Sequence, residues 1–424
     1  MPGHKGVNFL GLENFDITEF DGADCLYHAD GIIRESEENA SQLFGAHTFY
    51  SAEGSSLSVK AMIYLAIKAN FNGQGKPLVV AGRNAHKSFI SAVGLLDAEV
   101  KWIYPEDSSY VSCSVDADKL KNVLSGLDKK PVAVYLTSPD YLGNTLSLAE
   151  ISKVCKEFGT LLLVDNAHGA YLKFLPTSEH PIDLGADMCC DSAHKTLPAL
   201  TGAGYLHLSK SMPDDIVNSV KSALALFGST SPSYLILQSL DLLNRYLFEG
   251  YKDNLASFIT KLDGLKSKLT KHGYRLVGNE PLKITLAVKP YGYNGIEFSK
   301  ILKEHNALVE FYDPDFVVMM FTIESNDTTL NFIEKLLLSI PKKPAIDTIA
   351  PTLCATTQVM SIREALLSKS VTLSIDKAKG KILADTSVGC PPAVPIAVCG
   401  ERLTEHSIEL FKYYGINKCK VVLE

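Results

Sequence analysis

The chain has 424 residues, 46% hydrophobic and 21% charged, the proportions of an ordinary globular protein with room for two or three cores. Its 41 Lys+Arg against 48 Asp+Glu leave a formal net charge of −7, which excludes a broad electrostatic grip on nucleic acid or on anionic lipid. Nine cysteines without a C-x-x-C pair, a start lacking an apolar signal region and the lack of any run of about 18 apolar residues argue against a disulfide scaffold, a zinc knuckle and a transmembrane helix, so a reducing cytoplasm is expected.

From Ala52 to Ser209 short apolar, β-branched runs alternate with helical stretches. The pattern predicts strands at PLVVAG (77–82), EVKWIY (99–104), PVAVYLTS (131–138), TLLLVD (160–165), DMCCDS (187–192) and GYLHL (204–208). Between them SVKAMIYLAIKAN, HKSFISAVGLLDA and SLAEISKVCKEFG read as helices, the last opened by a Ser and closed by a Gly. This rhythm predicts an α/β fold with a mostly parallel sheet flanked by helices, whose ligands gather at the carboxyl ends of the strands. Beyond it, 232–273 is a long helical tract, and LKITLAV, GIEFSKILKEH, VVMMFTI and NFIEKLLLSI suggest a smaller α+β domain. The proline-dense PKKPAIDTIAP (341–351) reads as a linker into a C-terminal α/β domain, so the expected domains are 1–245, 246–340 and 341–424.

Four constellations carry chemistry. In DSAHKTLPALTGAGYLHL, Ser192, His194 and Lys195 follow directly on a strand end. A lysine there is a Schiff-base candidate, because desolvation lowers its pKa and frees its lone pair; the plain alternative is a surface lysine in a loop. In TLLLVDNAHGAY, Asp165 ends a buried strand and His168 follows three residues later. An acid in that place needs a positive partner, such as a protonated pyridine nitrogen; a helix cap is the plain alternative, and a metal pair with His168 has too few ligands. In YSAEGSSLSVKAMIYLAI, Gly54, Ser55 and Ser56 open a helix, making either a phosphate cup or an ordinary N-cap. In AGRNAHKSFISA, His86 follows a strand, where its flat ring suits a flat cofactor and equally suits a cap.

In order along the chain these are a phosphate cup, a planar residue, a strand-end acid and a strand-end lysine, which together describe a pyridoxal 5′-phosphate site. The sequence also resembles the Orn/Lys/Arg decarboxylases, enzymes of the aspartate-aminotransferase fold (fold type I). The resemblance runs from PGHKG through FGAHTFYSAEGSS, RNAHKSF, TSPDYLGN, VDNAHGAY, DSAHKTL and STSPSY to PPAVPIAVCGE, and is to a short form without the N-terminal wing domain. It implies that Lys195 is the Schiff-base lysine, Asp165 the partner of the ring nitrogen and His86 the residue stacked on the ring. It further implies that Ser55, Ser56, Ser192 and His194 hold the phosphate and that His168 lies near the phenolic oxygen. Thr230 and Ser231 match residues that reach the phosphate of a neighbouring subunit, which implies a homodimer with shared active sites. Two departures stand out: Asp140 replaces a threonine of the family's N-P-T-Y-x-G, and G-T-S becomes GSS.

The implied reaction is decarboxylation of lysine, ornithine or arginine to the amine, consuming a proton, with no metal. Protonation at Cα falls to His86 or Lys195, and the candidates for the substrate's distal cation are Asp140, Glu310 and Asp313. The sequence does not choose among the three substrates. The alternatives are another fold-type-I reaction, aminotransferase or lyase, and a catalytically silent homologue.

Overall fold

Apolar runs of about five residues bounded by turn formers are long enough for strands and too short for helices. All six expected strands form. The computed structural model describes residues 1, 3–106, 109–386 and 392–423; Pro2 of PGHKG, Cys390 and Pro391 lie outside the described residues.

The chain runs through α1 (Ile32–Phe44), β1 (His47–Ser51), α2 (Gly54–Asn70), β2 (Leu78–Gly82), α3 (Lys87–Leu95) and β3 (Glu99–Ile103). It continues through α4 (Ala117–Ser125), β4 (Ala133–Thr137), α5 (Leu148–Glu157), β5 (Leu161–Asp165), β6 (Met188–Asp191), the one-turn α6 (Ala193–Thr196) and β7 (Gly204–Leu208). Helices α7 (Asp214–Val217), α8 (Val220–Phe227), α9 (Tyr234–Phe248) and α10 (Tyr251–His272) follow. Next come β8 (Arg275–Val277), β9 (Lys283–Ala287), α11 (Gly295–Glu304), β10 (Phe311–Tyr312), β11 (Phe316–Met320) and α12 (Asp327–Ser339). The chain closes with α13 (Ile362–Leu367), β12 (Ser370–Ser374), α14 (Glu405–Tyr413) and β13 (Lys418–Val422).

A seven-stranded, mostly parallel sheet has the order β1-β7-β6-β5-β4-β2-β3. The chain packs as two compact units, one of Met1–Val80, Ala117–Leu136 and Ser147–Asp253, the other of Ala81–Asp116, Thr137–Leu146 and Asn254–Glu424.

In the first unit β5 and β6 are parallel, with Asp165 opposite Cys190. Strand β7 runs antiparallel to β6, because the segment between them carries only α6 and turns the chain back. Strand β1, which the sequence did not announce, pairs antiparallel with β7. Helix α2 buries Leu57, Val59, Ala61, Met62, Ile63, Leu65 and Ala66, and packs against α8 and the sheet strands β5, β6 and β7. That breadth of burial explains why α2 is apolar around most of its circumference. The tract expected as one long helix is two, α9 and α10, because Gly250 takes the left-handed φ of +79° between them, a conformation that favours glycine.

In the second unit β10-β11-β9-β8 form an antiparallel sheet accompanied by α11 and α12, and β12 and β13 pair as a separate ribbon. One core joins them: Phe311 and Val318 pack in the same cluster as Leu383, Val394, Ile396, Phe411 and Val421. PKKPAIDTIAP has neither helix nor strand. Helix α13 begins at a reciprocal cap between Ser361 and Glu364. Among the described residues, no helix is long and apolar enough to cross a membrane.

Candidate active site

The first unit assembles the lysine, the strand-end acid and the phosphate cup from three adjacent segments. The LLLV run of β5 is buried almost throughout, so Asp165 reaches the strand's end still buried, and an ionisable group there requires donors. It has them: the Tyr135 hydroxyl donates to Oδ2 at 2.9 Å, and the Ala167 N–H donates to Oδ1 at 3.2 Å. Burial, together with the Asp165 charge, pushes the Tyr135 phenol well above its ordinary range, so that it remains a donor.

His168 is buried, and its Nε2 lies 3.0 Å from Lys195 Nζ. An ammonium can only donate, so a charged Lys195 requires the acceptor form of His168 Nε2, and a proton passed along this contact leaves a neutral amine. Lys195 is half-buried on α6, one turn beyond the end of β6. Just before it, Ser192 donates to Ser55 Oγ at 2.8 Å and joins the β6 end to the first turn of α2. His194 Nδ1–H donates to the Ala203 carbonyl at 2.8 Å, and Gly54 N–H to the Gly202 carbonyl at 2.7 Å.

Gly204 makes this approach possible. A Cβ there would lie 2.9 Å from both the Asp191 carbonyl oxygen and the Gly54 carbonyl carbon, driving α2 away from β7. The first turn of α2 carries no acidic side chain, so Ser55 and Ser56 sit at the positive end of a 17-residue helix, a place suited to a phosphate. The structure therefore joins Ser192 to Ser55 and Lys195 to His168, with Ser56, His194 and Asp165 on the same segments. Thr230 and Ser231 are exposed on the segment between α8 and α9, where Ser229 N–H donates to Glu53 at 2.6 Å.

The remaining predicted residues belong to the second unit. His86 caps α3: its Nδ1 accepts the Ser88 N–H at 3.2 Å, which leaves the ring proton on Nε2. Asp140 is buried, accepts Asn144 N–H on Oδ1 and Asn144 Nδ2–H on Oδ2, each at 2.9 Å, and is raised above the usual carboxylate range by burial. Its carbonyl accepts from Lys283 Nζ at 3.0 Å. Asp313 is buried, and its Oδ1 accepts the N–H groups of Asp315 at 2.8 Å and Phe316 at 2.7 Å. Glu310 is exposed.

Sequence reasoning missed Tyr135 and a buried cluster of His180, Asp191 and His207. A signal existed for each: a tyrosine inside AVYLT and a histidine inside GYLHL are polar groups in otherwise apolar strands, and each must find a partner.

Comparison with known proteins identifies the family. Residues 5–272 match the family model described as Orn/Lys/Arg decarboxylase, major domain. The Bacillus subtilis protein YaaO is 30% identical over 439 aligned residues, spanning 96% of this chain and 89% of its own. An arginine decarboxylase of Halalkalibacterium halodurans is 27% identical over 445 residues, covering 96% and 88% respectively. Among solved structures, lysine decarboxylase A from Pseudomonas aeruginosa superimposes with a TM-score of 0.81 at 16% identity, over 100% of this chain and 78% of that one.

Proposed function

The chain belongs to the Orn/Lys/Arg decarboxylase family, and on that premise we propose that arginine is the amino acid it decarboxylates. Its reaction is the family's, pyridoxal phosphate-dependent release of carbon dioxide from a basic amino acid. Arginine is favoured over lysine and ornithine because a relative that aligns along nearly the whole chain is an arginine decarboxylase.

The observation that carries the site assignment is the 3.0 Å contact between Lys195 Nζ and His168 Nε2, with Asp165 at the end of the strand leading to His168. The residues fit the cofactor: a buried carboxylate for the ring nitrogen, a helix N-terminus with Ser55, Ser56, Ser192 and His194 for the phosphate, and a lysine amine for the aldehyde. Bound there, the cofactor would supply an electron sink for Cα as the carboxylate is lost. Asp165 would hold the proton on the ring nitrogen. His168 takes the Lys195 proton, which makes the amine reactive. His86 is proposed to stack on the ring on the strength of its place in RNAHKSF, and His86 or Lys195 to return the proton to Cα. For the distal cation the carboxylates to test are Asp140, whose oxygens are both on Asn144, Glu310, and Asp313, whose Oδ2 has no hydrogen-bond partner among the described residues.

The same reading includes a homodimer in which Thr230 and Ser231 serve the partner's site. Their exposure supports it, as do the exposed apolar Phe9, Leu10, Phe15 and Phe20. It also includes a cytoplasmic location, a role in polyamine supply or acid defence, and the modular division 1–245, 246–340 and 341–424, the last two parts carrying separate sheets around a shared core. Incubation with pyridoxal phosphate and a panel of amino acids, with products identified by mass, tests the reaction. Arginine minus carbon dioxide is the expected product; a keto acid with no amine would favour the transaminase alternative, and a protein that stays colourless with the cofactor would overturn the site.

A further inference from the structure

Beneath the Lys195 segment, a hydrogen-bonded chain of wholly buried groups crosses the first unit. Asp191, the last residue of β6, accepts His180 Nε2–H and His207 Nε2–H on Oδ2, each at 3.2 Å, and Asn166 Nδ2–H on Oδ1 at 2.8 Å. At the far end Thr48 Oγ1 lies 2.9 Å from His207 Nδ1, so a hydroxyl donated there fixes the tautomer that presents Nε2–H to Asp191. Both chain neighbours of this network matter: Asn166 follows Asp165 directly, and its own N–H donates to the Cys190 carbonyl at 3.0 Å; Asp191 leads into 192–195. One carboxylate thereby ties the strand end that carries the acid to the strand end that carries the lysine.

The same three side chains offer ligand atoms within 4.8 Å of one another, which raises a metal site as the competing reading. Two features favour the hydrogen-bonded one. Each imidazole-to-carboxylate separation is an N–H···O distance, and His180 Nδ1 has no hydrogen-bond partner among the described residues, whereas a metal-bound imidazole almost always donates from its other nitrogen.

We propose that Asp191, held by His180 and by a His207 that Thr48 orients, is a positioning residue that holds Lys195 in place for covalent capture of the cofactor. The inference rests on the pyridoxal phosphate reading above. Capture joins the Lys195 nitrogen to the aldehyde carbon and expels the aldehyde oxygen as water; pyridoxamine phosphate has no aldehyde and binds through the phosphate cup and ring contacts alone.

That difference supplies the test. Cofactor-free wild type, Asp191→Asn, His207→Leu, His207→Gln and Thr48→Val are titrated with pyridoxal phosphate and with pyridoxamine phosphate, and dissociation constants are read from protein fluorescence. Asp191→Asn and His207→Leu are expected to weaken pyridoxal phosphate about tenfold or more while leaving pyridoxamine phosphate within about twofold. His207→Gln, which keeps an N–H for Asp191, should restore most of the affinity. Thr48→Val, a milder change, should move in the same direction by about threefold even where the larger changes impair folding. Equal weakening of both ligands, or no weakening of either, would overturn the proposal. So would one cobalt or zinc ion bound per wild-type chain and lost in His207→Leu. Wild type that binds neither ligand refutes the cofactor reading itself, and the proposal falls with it.

Discussion

Two buried aspartates, one in each unit, are moved in opposite directions by their surroundings. Burial alone raises both Asp191 and Asp313. For Asp191 the Nε2–H groups of His180 and His207, both aimed at its Oδ2, reverse that and bring the carboxyl well below the usual carboxylate range, whereas burial pushes the His207 ring down. For Asp313 two backbone N–H groups fall short, and it is pushed up to about 7. Depth sets the cost of a charge; the donors aimed at it decide whether the charge survives. The contrast extends to the units. In the first, the Asp191 network leads to Lys195, apart from a pair formed by the buried Glu37 with Lys221. In the second, buried charges are matched internally: Arg83 against Glu401 at 3.4 Å, Lys283 against Glu280 at 3.3 Å and Lys289 against Asp315 at 2.6 Å.

If that division is right, Lys195→Ala gives the largest effect and gives it in chemistry alone. Turnover should fall by at least roughly 10³-fold and the visible absorption of the loaded protein should vanish. The unfolding temperature without cofactor should stay within about 2 °C. A large thermal shift would place Lys195 among the structural groups instead. Arg83→Met tests the other region. Arg83 is fully buried, and besides Glu401 it donates to the carbonyls of Pro395 at 2.7 Å and Ile396 at 3.0 Å. Removing one partner of such a pair costs about 3–5 kcal/mol, and adding Glu401→Leu should recover part of it. Denaturant titrations of the single and double variants measure both; unchanged stability in Arg83→Met would erase the distinction between the units.

Asp165→Asn sharpens the first region from within. The amide oxygen can still accept from Tyr135, so the fold should hold, while the charge proposed to face the ring nitrogen is gone; turnover should drop about 10²-fold or more. A variant with full turnover would remove Asp165 from the chemistry.

What the sequence made legible follows the same line. Asp165, His168 and Lys195 lie within one short stretch at the ends of apolar strands, where periodicity places them without knowledge of the fold. The Asp191 network draws Thr48, Asn166, His180 and His207 from β1, two loops and β7, and no local pattern announces such a meeting. Strand β1 was hidden because HTFYS mixes polar and apolar residues, and its Thr48 points at a buried histidine. Strands β12 and β13 carry Ser, Thr and Lys on their exposed face and pair with each other only across an intervening helix. Asp140 and Asp313 were legible as acids; that Asn144 occupies both oxygens of Asp140 and a turn one oxygen of Asp313 was not.

Asp313 gives the smallest effect and the cleanest sign. An aspartate in an unfolded chain ionises near pH 4, whereas here burial holds the proton until about pH 7. Across that window the folded state binds more protons than the unfolded one, so stability falls as pH rises from about 4 to about 7 and levels off above. The full separation corresponds to about 4 kcal/mol, and partial hydration of the charged form should reduce the measured loss to roughly 2 kcal/mol. Asp313→Asn keeps the acceptor for the N–H groups of Asp315 and Phe316 but cannot ionise. Every other titrating group cancels in the difference between wild type and variant. The difference in unfolding free energy, measured by denaturant titration from pH 4 to pH 8, should therefore favour wild type at the acid end and shift toward the variant as pH rises. A flat difference would mean that Asp313 keeps its charge, and the opposition between it and Asp191 would be lost.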